Sequence, residues 1–81
     1  MLELYQQVAL RLNLPEHSLR QGDVATLIDR LPHPTTGEEG YILEVFNAIG
    51  ESIAVVAVPA SAVEELRSNE ILTVRPWAEA S

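Results

Sequence analysis

The chain has no cysteine and no lysine among its 81 residues. Without thiols it can build neither a disulfide framework nor a thiolate metal site, so its core must hold without staples. Without lysine it has no Schiff-base amine and no Walker-type phosphate loop. Basic charge is scarce altogether: five arginines stand against 12 Asp plus Glu, giving a net charge of −7. Such a surface repels phosphate backbones and forgoes the counterion release that drives non-specific nucleic-acid binding. No nucleic-acid partner is expected. The N-terminus, Met1-Leu2-Glu3-Leu4-Tyr5, lacks the basic and apolar regions of a secretory signal, and the longest apolar run, Ile53 to Ala60, falls far short of a membrane span. A cytoplasmic protein with no membrane partner is the expectation.

What is present is apolar. Hydrophobic residues make up 47% of the chain against 21% charged. A single domain of this length buries only roughly 60% of the surface its unfolded chain exposes. A surplus of apolar surface therefore predicts cover by another protein chain.

Period-two alternation of Val8, Leu10 and Leu12 with Ala9 and Arg11 predicts a first strand over about Tyr5 to Leu12, against a competing helix over Leu2 to Leu12. Asn13-Leu14-Pro15-Glu16-His17-Ser18 then reads as an ordered excursion pinned by Leu14 and Leu19, because proline fixes φ and removes a donor. A Gly22-Asp23 turn opens a β-branched second strand that runs to Leu31. The breaker-rich loop from Pro32 to Gly40 ends it. Tyr41–Phe46 and Ser52–Val58 read as a hairpin about Asn47-Ala48-Ile49-Gly50, with positive φ at Gly50. Pro59 closes the fourth strand. Ala60 to Leu66 reads as one or two helical turns with Ser61 as a cap, and Ile71–Val74 as a last short strand. This order predicts an all-β fold, a small five-stranded SH3-like barrel with one short helical turn before the last strand. The domain is expected over residues 1–76, with 77–81 as a tail.

Leu14-Pro15-Glu16-His17 followed by Arg20-Gln21-Gly22-Asp23-Val24, with Val8-Ala9-Leu10, Tyr41–Phe46, Ile53–Pro59 and Glu70–Arg75, resembles a bacterial and cyanobacterial family catalogued as a domain of unknown function. The resemblance covers roughly Leu4 to Pro76. It implies an SH3-like fold and brings no established activity. Ala25 stands where the family is expected to favour glycine.

No constellation of residues carries catalysis. His17 and His33 sit in different loops, and a zinc site would need both together with carboxylates such as Glu16 or Glu38-Glu39. Both histidines read as solvated, so no metal or cofactor is expected. Glu38-Glu39 and Glu64-Glu65 read as negative surface, since acid–base catalysis needs two carboxylates held in a cleft with separated pKa values. No elbow surrounds Ser18, Ser52, Ser61 or Ser68. A groove for proline-rich peptides needs several adjacent rings, and Tyr5, Tyr41, Phe46 and Trp77 are spread over the chain. No small-molecule substrate is indicated.

The third and fourth strands are apolar on both faces. Tyr41, Leu43 and Val45 alternate with Ile42, Glu44 and Phe46, and Ala54, Val56 and Val58 with Ile53, Val55 and Ala57. One set fills the barrel, leaving Ile42, Phe46, Ile53 and Val55 as an outer patch to be covered by the helical turn, by the Trp77 tail or by another chain. The expectation is a non-enzymatic protein-interaction or assembly module, self-associating or bound to a protein partner. An acidic, antitoxin-like or regulatory binder of a basic partner and an accessory subunit of an enzyme complex are the alternatives.

Overall fold

Strands form where apolar and β-branched residues alternate between breakers. β1 spans Gln7–Leu10, β2 Val24–Leu31, β3 Gly40–Phe46, β4 Ser52–Pro59 and β5 Val63–Glu65. The computed structural model describes residues 2–32 and 37–77. All pairings are antiparallel, in the order β4-β3-β2-β1-β5, so the sheet stays open between its two edges, β4 and β5. The result is an all-β, barrel-like fold, and its only helical elements among the described residues are single 3-10 turns at Pro15–His17 and Ala60–Ala62. No helix among the described residues is long and apolar enough to cross a membrane.

The core follows from register. Leu27 lies opposite Leu43, and Leu43 opposite Val56, so three buried side chains line up across three strands. Val8 with Ala25 and Leu10 with Val63 extend this layer to the β5 edge. Burying each of the larger side chains contributes on the order of 1.5–3 kcal/mol, which is how a chain without staples holds together. Ala25 pairs in register with Val8, and the irregularity in β2 falls instead at Ile28, between Leu27 and Asp29.

The loops bear out their punctuation. Leu14 and Leu19 are both buried and bridge each other around the Pro15–His17 turn, which Ser18 closes in the left-handed region at φ 56°. Gly50 ends the β3–β4 hairpin at φ 86°, with the Asn47 side-chain oxygen accepting from the amides of Ile49 and Glu51. At the N-terminus, the competing helix does not form. Arg30 instead donates to the Leu2 carbonyl at 2.6 Å, and Leu2 packs on the core.

The last strand lies earlier than the sequence predicts. The Val63 amide donates to the Ala60 carbonyl, and Val63, β-branched and extended at φ −129°, leaves the turn and pairs with Leu10. That pairing takes the free edge of β1. Ile71–Val74 has strand composition but finds no strand partner among the described residues, and residues 66–77 form an arm without strand structure.

Candidate interaction surface

Residues that pair across strands share a face of the sheet. With Leu43, Val45, Val56 and Val58 turned into the core, Ile42, Glu44 and Phe46 of β3 turn outward. Opposite them stand Ala57, Val55 and Ser52 of β4, and on the β2 side Asp29 faces Ile42 while Thr26 faces Glu44. This outer face therefore carries apolar side chains beside two carboxylates. Arg30 pairs with Tyr41, on the other face.

The structure separates the four residues of the expected patch. Val55 is 58% exposed and Phe46 42%, whereas Ile42 is half-buried. Ile53 takes a different direction for a definite reason. Val45 pairs with Ala54 and Phe46 with Ser52, which leaves Ile53 as the extra residue of a bulge. A bulge re-aims its side chain, and Ile53 joins Ala54 against the core. Glu44 is held in place by Ser52, whose hydroxyl donates to Oε2 at 2.7 Å.

The arm reaches only one end of this face. Phe46, Ile49 and Ile53 line an open cavity of about 1160 Å³ beneath it, together with Leu72 and Trp77. Trp77 packs against the core, with its indole Nε1 buried and unpaired among the described residues. Val55 is not part of that cavity and stays uncovered.

What ties the arm down had no sequence motif to announce it. Arg75 donates from Nε to Asp23 Oδ1 at 2.8 Å, forms an ion pair with the second carboxylate oxygen, and donates to the Ser18 carbonyl at 3.3 Å. Asp23 also accepts from the Arg20 amide at 2.7 Å, so one carboxylate both closes the Gly22 turn and holds the arm. Burial alone raises its pKa, but the hydrogen bonds from Arg75 and the Arg20 amide, with both guanidinium charges, outweigh this and lower it below the ordinary value. The one legible signal was an arginine set between Val74 and Pro76-Trp77 in a chain with few cations.

The remaining candidates are dispersed. His17 ends its 3-10 turn, with its amide donating to the Leu14 carbonyl, and His33 lies outside the described residues. Glu38 caps the Ser61 amide and Glu39 pairs with Arg30 at 3.8 Å. Glu64 and Glu65 ride on β5 rather than on a helix, and Glu64 pairs with Arg11 at 3.6 Å. Among the described residues no group of three or more His, Cys, Asp or Glu side chains is placed to hold a metal ion.

Comparison with curated proteins and with solved structures returned no match. Comparison with protein families did: residues 4–65, from just before β1 to the last residue of β5, match the family described as "Domain of unknown function (DUF4926)". The matched stretch contains the whole sheet and Asp23, and stops short of the arm that Asp23 holds. The chain belongs to this family, DUF4926.

Proposed function

We propose that the protein is a non-enzymatic interaction or assembly module that docks the outer face of β3 and β4 on another protein chain. One observation carries the reading: Val55 and Phe46 stand exposed on the outer face of β4 and β3, where a small domain rarely leaves large apolar side chains on one face. The lack of cysteine supports a reducing, cytoplasmic setting. Phe46→Glu would set a charge into the contact while sparing the core, because Phe46 points away from it. Sedimentation of wild type and variant over a range of concentrations, alone and with a candidate partner, tests this. Weakened association with an unchanged melting temperature is expected, and equal association by the two proteins would remove the reading.

A second reading rests on charge. The same face carries Asp29 and Glu44 and, among the described residues of β2, β3 and β4, no arginine, on a chain of net charge −7, which suits a basic partner in a regulatory or antitoxin-like role. Capture that fades steeply as salt is raised supports that partner, whereas salt-insensitive capture supports the apolar contact. A subunit role within an enzyme complex fits either contact.

A further inference from the structure

Two stretches of this chain have strand chemistry and no strand partner. The first is Ile71–Val74 in the arm. Its side chains are β-branched or apolar, Ile71 and Val74 are 88% and 90% exposed, and none of its amides or carbonyls takes part in a backbone hydrogen bond among the described residues. The arm is held at both ends. An Arg67–Glu70 turn sets one end, where the Glu70 amide donates to the Arg67 carbonyl at 3.1 Å, and the Arg75–Asp23 pair sets the other.

The second is the outer edge of β4. This strand is eight residues long and, among the described residues, pairs only with β3. Exposed edges are ordinarily blunted by charge, by an inward-facing ion or by brevity. β5, the opposite edge, shows two of these devices, being three residues long with Glu64 and Glu65. Ile53–Pro59 of β4 contains no charged residue at all, and only the bulge at one end and Pro59 at the other limit it.

From these two stretches we infer that Ile71–Val74 adds as a strand to the free edge of β4 in a second copy of this chain. Each copy carries both the donor segment and the acceptor edge, so two copies can exchange them reciprocally about a two-fold axis, the commonest closed symmetry. The flanks agree in charge. Glu70 and Arg75 directly flank the arm segment and Glu51 directly precedes β4, so an antiparallel addition sets Arg75 against Glu51. This local complementarity works against the mutual repulsion of two chains of charge −7. The contact uses a main-chain edge rather than the outer face, so it goes beyond the function proposed above and can fail independently of it.

Hydrogen–deuterium exchange of the full chain at low and high concentration tests the inference, alongside sedimentation. The expected result is a dimer in which the amides of residues 71–74 and of β4 become protected together as concentration rises. Thr73→Pro removes one donor from a segment that makes no backbone bonds within its own chain. It should weaken the dimer about tenfold or more while leaving the sheet's protection intact. A chain that is monomeric at every concentration overturns the inference. So does a dimer whose arm amides exchange as fast as in the monomer, and that result would leave the outer face as the contact. Because exchange is read on the wild type, a Thr73→Pro protein that fails to fold does not spoil the test.

Discussion

Arg75 grips the Asp23 carboxylate at two points, from a residue 52 positions further along the chain. Asp23 belongs to the turn that starts β2, and Arg75 to the arm that follows β5. The pair therefore ties the C-terminal part of the arm to the start of β2.

The lowered pKa of Asp23 fixes the direction of a pH test. A carboxylate whose folded pKa lies below its unfolded value contributes its full stabilisation above the unfolded value, and loses it as pH falls through the folded one. The arm should stay docked at neutral pH and come away only in acid, below the ordinary aspartate range. Trp77 is the single tryptophan and packs on the core, so its fluorescence reports the release. Emission should shift to the red in that acid window, and Asp23→Asn should show the shift already at pH 7. A variant with wild-type emission at pH 7 would show that the ion pair does not hold the arm.

Gly50 offers a test of backbone strain alone. Its φ is 86°, and a Cβ added there would meet nothing within 4 Å. Gly50→Val should then cost on the order of 1–2 kcal/mol, all of it conformational, because a β-branched residue is strained in this region. Urea denaturation measures it, and a midpoint equal to that of wild type counts against the assignment.

Zinc should not raise the melting temperature. His17 lies at a 3-10 turn with no cluster of ligands near it among the described residues, and a site closed by carboxylates alone would bind weakly. A rise that grows with zinc concentration and vanishes in His17→Ala would contradict this.

Where sequence and structure agree, the signal was local. β2, β3 and β4 lie where alternation and breakers placed them, and Gly50 has the backbone its hairpin requires. Where they part, the deciding fact was long-range. Ile71–Val74 has better strand composition than Val63–Glu65, yet the β1 edge accepts one partner, and Val63 reaches it directly from the Ala60–Ala62 turn. Two adjacent glutamates then read as helical because their strand pairing depends on residues far away in the chain. The outer face was legible by alternation up to the bulge, which alternation cannot foresee, and Ile53 turned inward as a result. The Asp23–Arg75 pair had no spacing to betray it.

The order of strands in the sheet also carries a consequence for how the chain folds. β2, β3 and β4 pair with their neighbours in sequence, so their contacts close short loops at small entropic cost. The β1–β5 ladder instead joins Leu10 to Val63 and must bring nearly the whole matched domain together before any of its bonds form. A three-stranded meander is the natural nucleus, with closure by β5 as a late step. Substitutions at Val63 should then speed unfolding and leave the folding rate nearly untouched, whereas those at Leu43 should slow folding.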